Sequence, residues 1–241
     1  MSLVAGLDFG GGAVKACVAD IDSGDVLATA HEPTATAHPA PGRAEFDPAA
    51  WGQAAAAAMR SAVGAAARPP GDYASVSVGS LRQGYVLLDD RAELGAGVLN
   101  ADRRGADHLE RVRQVVGRER LYEITGHWSA SQLTLPKLLE EQRSGRLEGA
   151  RSVLFVHDWA LWRLCGERVS EPSMASAGQL LDVQQRTWAS ALLESLDLDP
   201  ALLPQLVEAG TWVGALRDGD LGLTPGIAVV AGGGDTQLAA A

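Results

Sequence analysis

The stretch Ile227-Ala-Val-Val-Ala-Gly-Gly-Gly-Asp235-Thr-Gln237 joins an apolar, β-branched run to three glycines and one carboxylate. The run predicts a buried strand, and glycines let a backbone approach a ligand closely because they lack a Cβ. A carboxylate that directly follows a strand lies where open α/β sheets bind their ligands. The stretch Leu3-Val-Ala-Gly-Leu-Asp8-Phe-Gly-Gly-Gly-Ala-Val-Lys15 repeats the same order near the other end. Together the two stretches predict a cleft for a phosphorylated ligand.

The first ninety residues contain three strands, one helix and two further strands in the predicted order. A helix begins after the N-cap Asp47, with Pro48 at its first position, and runs to about Ala67. The predicted strands are residues 3–8, 13–20, 26–31, 74–79 and 84–88. Three antiparallel strands, a crossover helix and then parallel strands are typical of the ribonuclease-H-like, actin-type fold. We therefore predict an α/β fold with a mixed five-stranded sheet and flanking helices, which disfavours a dinucleotide-binding domain.

The remainder of the chain is predicted to be mostly helical up to its final strand. Apolar spacing and capping residues indicate helices over 106–116, from 135 onward, after an N-cap at Asp158, and over 187–196. Strands are predicted over 152–156 and 226–230.

The charge and the apolar content of the chain exclude some classes of binding partner. The 241 residues carry a formal charge of −10 from 20 basic and 30 acidic residues, and no basic cluster suggests nucleic-acid binding. No apolar stretch approaches the ~20 residues that span a bilayer, and the N-terminus does not resemble a signal peptide. We therefore expect a cytoplasmic protein with no membrane or nucleic-acid partner, and the sequence leaves a homodimer open. Cys17 and Cys165 are interpreted as reduced core residues.

Asp8 and the glycines Gly10, Gly11 and Gly12 are candidates for a phosphate and metal site. Backbone N–H groups of a glycine-rich turn form a concave anion site, and a neighbouring carboxylate can hold the water shell of Mg²⁺. The alternative is an ordinary glycine hairpin with Asp8 as a turn residue. The chain has no Walker-type motif.

Asp235 is the candidate general base. A hydroxyl that attacks a γ-phosphoryl group must lose its proton, and one positioned carboxylate suffices for this. Gly233 and Gly234 would then face the phosphates. The alternative is that Asp235 only caps the last helix.

Two further polar clusters could bind a polyhydroxylated substrate. Arg82 and Gln83 follow a predicted strand and can donate to several hydroxyls, while Asp102 can accept from them. Each cluster alone is more often a solvated loop. The five histidines are scattered without metal-ligand spacing.

Six segments, in order, resemble the N-terminal domain of the FGGY family of carbohydrate kinases. They are Asp8-Phe-Gly-Gly-Gly-Ala-Val-Lys15, Asn100-Ala-Asp102-Arg-Arg104, Leu135-Pro-Lys137-Leu-Leu, His157-Asp158-Trp159 through Glu167, Ser173 through Trp188, and Ala231-Gly-Gly-Gly-Asp235. Within the family, Ser80-Leu-Arg82-Gln83-Gly84 resembles a segment of the autoinducer-2 kinases, and other members are xylulokinases. Two positions depart from the family pattern: Gly11 replaces a threonine and Asn100 replaces a tryptophan.

The resemblance implies an enzyme that uses ATP and Mg²⁺ to phosphorylate a sugar or polyol. Residues 1–241 would be its N-terminal, sugar-binding domain, without the C-terminal ATP-binding domain, and we expect the isolated chain to be inactive. A linear or five-carbon substrate is expected from the same resemblance. The alternatives are a non-catalytic sugar-binding or regulatory lobe, and a relative of the acetate kinases or hexokinases on the same fold.

Overall fold

The computed structural model describes residues 2–217 and 220–240. The strands are β1 Leu3–Phe9, β2 Ala13–Asp20, β3 Asp25–Pro33, β4 Glu45–Phe46, β5 Tyr73–Ser80, β6 Tyr85–Leu88, β7 Gly97–Val98, β8 Ser152–Phe155, β9 Val169–Ser170, β10 Leu181–Asp182, β11 Thr187–Trp188, β12 Gln205–Leu206, β13 Trp212–Ala215 and β14 Ala228–Gly234. The helices are α1 Pro48–Ala66, α2 Leu109–Val116, α3 Arg118–Thr125, α4 Thr134–Arg143, α5 Val156–Cys165, α6 Pro172–Ala177, α7 Ser190–Ser195 and α8 Asp235–Leu238. Short 3₁₀ turns cover Pro70–Asp72, Ala106–His108 and Pro200–Leu202.

The central sheet is mixed, as predicted, but it has six strands rather than five, in the order β13-β14-β5-β1-β2-β3. β1 pairs in parallel with β5, and β5 pairs in parallel with β14. β1, β2 and β3 form the predicted antiparallel meander. The prediction missed the short edge strand β13. The prediction also counted residues 84–88 as the fifth strand, whereas β6 belongs to a second sheet with β4, β7 and β8.

One face of the central sheet packs against α1 and α5. Along β1, alternate side chains from Leu3 to Phe9 are buried, as expected for a strand with one covered face. Phe9 contacts Trp51 of α1 and Trp159 of α5, with ring centroids 6.3 and 5.7 Å apart. A second core joins the smaller sheet to helices α2–α4, α6 and α7.

The start of α1 agrees with the sequence prediction. The side chain of Asp47 accepts a hydrogen bond from the Ala49 amide at 2.9 Å, and Pro48 is the first helical residue. Ala67 then ends the helix in the left-handed conformation, with φ of 50°, just before the two prolines.

Several element boundaries differ from the sequence prediction. α5 begins at Val156, so Asp158 lies inside its first turn and accepts from the Phe155 amide at 3.1 Å. The predicted helix over 187–196 is a two-residue strand followed by α7, and the last strand continues through the glycines to Gly234. Cys165 is buried as expected, but Cys17 is exposed. Among the described residues, none of the helices has the length and hydropathy needed to cross a membrane.

Candidate active site

Three parallel strands end at the same edge of the central sheet, and a predicted site residue lies at the end of each. Asp8 and Gly233 both lie opposite Gly79 of β5. Asp235 directly follows β14, and Arg82 lies two residues beyond the end of β5. The topology therefore brings together side chains that are more than 220 positions apart in the sequence.

Asp235 holds an exposed carboxylate at this edge. It is the first residue of α8, and Gly234 takes the N-cap position that the alternative interpretation gave to Asp235. Its Oδ1 accepts from the Thr236 amide at 2.6 Å and lies 3.8 Å from Nε of Arg82. The side chain is 47% exposed. A carboxylate in this setting can accept a proton from a hydroxyl that reaches the edge.

Asp8 and Lys15 form the second charged pair of the edge. The two residues are opposite each other in the β1–β2 hairpin, with Lys15 Nζ 3.6 Å from Asp8 Oδ2. In the described part of the chain, no three His, Cys, Asp or Glu side chains cluster tightly enough to hold a metal ion unaided. A single carboxylate still fits Mg²⁺, which keeps several waters and shares phosphate oxygens. We call Asp8, Lys15, Arg82 and Asp235 the open edge.

A cavity of about 700 Å³ opens beside the open edge, on the sheet face that α1 and α5 leave uncovered. Asp8, Lys15 and Asp235 line it, together with Cys17 of β2 and Leu238 of α8. Charged groups thus meet apolar surface at one concave site, as small-molecule sites usually require.

The turn Gly10–Gly12 is exposed at its tip. The Gly10 amide donates to the Ala13 carbonyl at 3.0 Å, and the Gly12 carbonyl accepts from the Thr34 amide at 3.1 Å. A Cβ added to Gly11 or Gly12 would meet no atom within 4 Å. The space around these two glycines is therefore open to a ligand, while the Gly10 amide is already bonded.

The glycines before Asp235 form the packed end of strand β14, which was predicted to end at residue 230. A Cβ on Gly232 would lie 2.0 Å from the Val78 carbonyl oxygen, so close backbone packing requires glycine there. The Gly234 amide donates to Oγ of Ser173 at 3.1 Å. Phosphate binding by Gly233 and Gly234 stays a prediction, and the bonded Gly234 amide does not favour it.

Two side chains of α4 donate hydrogen bonds to the turn that carries Arg82 and Gln83. Gln83 has a left-handed backbone, with φ of 68°, which is unfavourable for a residue with a side chain. Its carbonyl accepts from Thr134 Oγ1 at 3.2 Å and from Lys137 Nζ at 3.3 Å. Lys137 is fully buried and also donates to the Leu99 carbonyl at 2.8 Å. Burial lowers the pKa of Lys137 to about 7.

Asp102 differs most from its predicted role. Its side chain is fully buried, and its two oxygens accept from the Ala44 amide and from the backbone and guanidinium of Arg104 at 2.7–2.9 Å. Although burial alone would raise the pKa of Asp102, these hydrogen bonds lower it. Arg104 also donates to Glu45 and Glu141, each at 2.6 Å. These four residues, which we call the buried charge cluster, leave the Asp102 carboxylate no room for a substrate hydroxyl.

Two histidines near the site were not assigned a role from the sequence. Burial and the nearby positive charge of Arg82 both lower the pKa of His127. His157 is fully buried; its Nδ1 lies 2.8 Å from Asp158 Oδ1, and its Nε2 accepts from the Gly232 amide at 3.2 Å. Burial raises the pKa of Asp158, and the hydrogen bond from His157 partly offsets this effect. The scattered spacing of the histidines gave no signal for either contact.

A model of the FGGY family of carbohydrate kinases, N-terminal domain, matches residues 3–241. The chain belongs to the FGGY family of carbohydrate kinases. An autoinducer-2 kinase of Klebsiella pneumoniae is 30% identical over 247 residues, covering 99% of this chain and 46% of that protein. A xylulose kinase from Rhodospirillum rubrum superposes with a TM-score of 0.90 at 29% identity, over 97% of this chain and 49% of the other.

Fold similarity to FGGY kinases extends further than sequence similarity. A Plasmodium falciparum glycerol kinase solved with ADP has a TM-score of 0.87 at 14% identity, covering 98% of this chain and 49% of the other. The predicted family and ribonuclease-H-like fold are thus confirmed. The chain spans about half the length of the relatives that it matches.

Proposed function

We propose that this chain is the sugar-binding, N-terminal domain of an ATP-dependent carbohydrate kinase, in which Asp235 is the general base. The observation that carries the proposal is the meeting of Asp8, Arg82 and Asp235 at one edge of three parallel strands, with 3.8 Å between Arg82 Nε and Asp235 Oδ1. A C-terminal domain that binds ATP would complete the enzyme. The cavity beside the open edge lies on the sheet face that α1 and α5 leave uncovered, which supports a site that a C-terminal domain would close.

Three residues of the open edge, Asp8, Arg82 and Asp235, have a role in this proposal. Asp235 accepts the proton of the substrate hydroxyl as that oxygen attacks phosphorus. Arg82 and Gln83 donate to other hydroxyls of the substrate. ATP would supply the transferred phosphoryl group, with Mg²⁺ neutralising its charge, and Asp8 would orient waters of that ion. The amides of Gly11 and Gly12, which are exposed residues, would donate to phosphate oxygens.

The substrate is proposed to be a small polyol or open-chain sugar. The class of substrate follows from the hydrogen-bond donors Arg82 and Gln83 rather than from Asp102, whose carboxylate is buried and bonded to Ala44 and Arg104. The names of the related kinases support a substrate of this class. A cytoplasmic location and a homodimer stay predictions.

The test is ADP release by the full-length protein with a panel of ketopentoses, polyols, glycerol and the autoinducer-2 precursor. Asp235→Asn should lower kcat by about 10²- to 10⁴-fold, the usual cost of losing a general base, with little change in sugar binding. Asp72→Asn is the matched control, because Asp72 is exposed and directly precedes β5, at the opposite end of that strand from the site. Near-normal kcat in Asp235→Asn would overturn the assignment of the base.

The same panel separates the non-catalytic alternative. A sugar-binding or regulatory lobe would bind a member of the panel and give no turnover in the full-length protein. The observation that favours this alternative is Gly11, which stands where the family pattern has a threonine and so supplies no hydroxyl to donate to phosphate. The 241-residue chain alone should release ADP far more slowly than the ~1 per second that is ordinary for kinases.

A further inference from the structure

The last residues of β14 lack a neighbouring strand on one side. β13 pairs with β14 only as far as Val230, and Ala231 makes the last backbone bonds on this side: its amide donates to the Thr211 carbonyl at 2.9 Å, and its carbonyl accepts from the Gly210 amide at 2.8 Å. On the other side, β5 remains paired as far as Gly234. Buried backbone amides without a partner are costly, so the segment Gly232–Gly234 needs acceptors from elsewhere.

Two side chains supply those acceptors. The Gly232 amide donates to Nε2 of His157 at 3.2 Å, and the Gly234 amide donates to Oγ of Ser173 at 3.1 Å. Residues two apart direct their backbone groups to the same side of a strand, and the register shift between Val230 and Gly233 in β14 lets Gly232 and Gly234 share the side of Ala231. His157 of α5 and Ser173 of α6 therefore occupy the side where a neighbouring strand would otherwise lie.

Each of these two acceptors also donates a hydrogen bond to a carboxylate. The Nδ1–H of His157 donates to Oδ1 of Asp158, and the hydroxyl of Ser173 donates to Oε2 of Glu171. A neutral imidazole and a hydroxyl each have one proton to donate. Because each of these donors is already bonded to a carboxylate, the Nε2 lone pair of His157 and an Oγ lone pair of Ser173 accept from the glycine amides.

We propose that His157 and Ser173 are positioning residues that fix the backbone before Asp235 and thereby place its carboxylate. This inference rests on the proposed role of Asp235 as general base. Gly234 is the N-cap of α8 and Asp235 its first residue, so a shift of the Gly234 amide moves the base directly. Displacements of about 1 Å at a reacting group are enough to reduce turnover strongly.

Amide exchange in the 241-residue chain tests the backbone part of the proposal without any substrate. Ser173→Ala should speed exchange of the Gly234 amide by about tenfold, the equivalent of one lost hydrogen bond. Ser173→Thr, which keeps the hydroxyl, should restore slow exchange. Ser176→Ala on the same helix is the matched control and should leave Gly234 unchanged. An unchanged Gly234 rate in Ser173→Ala would overturn the proposal.

The ring of His157 offers a second test by ¹⁵N NMR, again without substrate. The contacts require the proton on Nδ1 and a bare Nε2, because Nε2 accepts from Gly232. A resonance pattern with the proton on Nε2 would contradict the proposed arrangement. Because the wild-type chain is measured, no misfolded variant can confuse the result.

Kinetics of the full-length protein then test the consequence for Asp235. Ser173→Ala should lower kcat by about tenfold and leave the sugar KM within about twofold, with recovery in Ser173→Thr. Unchanged kcat would show that the contact does not position the base. If the wild-type enzyme phosphorylates no sugar, the proposed function fails, while the exchange rates and the tautomer still decide whether the two side chains fix the segment.

Discussion

The open edge and the buried charge cluster use the same kinds of side chain in opposite ways. At the open edge, the Lys15–Asp8 and Arg82–Asp235 pairs are 3.6 and 3.8 Å apart, and every member is at least 33% exposed. In the buried charge cluster, Arg104 makes contacts of 2.6–2.9 Å and is fully buried with Asp102 and Glu141. Long, exposed pairs contribute little to stability and can exchange partners with a ligand. Short, buried pairs cannot be interrupted without a large penalty.

The largest difference between the regions should appear when Arg104 is removed. Arg104→Ala leaves the buried carboxylates of Asp102 and Glu141 without their cation, and we expect the free energy of unfolding to fall by about 3–5 kcal/mol. Urea denaturation measures the loss. Arg103→Ala, at the exposed neighbouring position, should change stability by less than about 0.5 kcal/mol. Equal effects of the two substitutions would contradict the structural role of the cluster.

Low pH should decrease the free energy of unfolding through Glu140, a carboxylate of α4 that is adjacent in sequence to Glu141 of the buried charge cluster. Hydrogen bonds from Arg143, His108 and Arg43 outweigh burial and lower the pKa of Glu140 to about 2. Its stabilisation is therefore complete above the ordinary Glu pKa near 4.5 and is lost as pH falls toward 2.

The shift corresponds to about 3 kcal/mol of pH-dependent stability. Stability measured against pH in wild type and Glu140→Gln should differ most above pH ~5 and converge near pH ~2. A constant difference between the two curves across this range would refute the contribution of Glu140.

Lys137 is buried like the charge cluster, but it donates to the Gln83 carbonyl in the turn that carries Arg82 of the open edge. Lys137→Met should raise the sugar KM by about tenfold, since the left-handed Gln83 loses a hydrogen bond that holds it. The free energy of unfolding should also fall, by about 1–3 kcal/mol, because the buried carbonyls of Gln83 and Leu99 lose their donor. Thr134→Val should change the KM in the same direction by a smaller factor. A stability loss without any KM change would make Lys137 purely structural.

The smallest stability effect is expected at the open edge itself. Arg82→Ala should change the free energy of unfolding by less than about 0.5 kcal/mol, because its ion pair with Asp235 is long and exposed. The sugar KM should nevertheless rise more than the ATP KM, since the guanidinium donates to substrate hydroxyls in the proposed function. Initial rates at varied sugar and varied ATP separate the two constants, and an equal rise in both would place Arg82 elsewhere in the cycle.

The sequence predicted the elements whose signals are local. Alternating apolar residues located β1–β3, and Asp47 with Pro48 located the start of α1. The glycines beside Asp8 and Asp235 pointed to the edge where both strands end. These signals depend on neighbours in the chain, so one sequence is enough to recognise them.

Long-range contacts could not be predicted in the same way. Arg82-Gln83 and Asp102-Arg104 were similar polar clusters in the sequence, but burial separates them into the open edge and the buried charge cluster. The support of Gln83 by Lys137 crosses 54 positions, and that of Gly232 by His157 crosses 75. Strand β13, Trp212–Ala215, was missed because it is a largely exposed edge strand that contains Gly214, without the continuous buried apolar run of the equally short β6 and β8.

The exposure of Cys17 provides an intrinsic reporter for the cavity. Its thiol lies on the wall that also carries Asp8 and Asp235, whereas the only other cysteine, Cys165, is buried. A thiol-reactive fluorophore should therefore label a single position without any engineered cysteine. Partial burial raises the pKa of Cys17, so labelling should require mildly alkaline buffer. Protection of this thiol by an added sugar, nucleotide or second domain would measure occupancy of the cavity directly, in a chain that need not turn over.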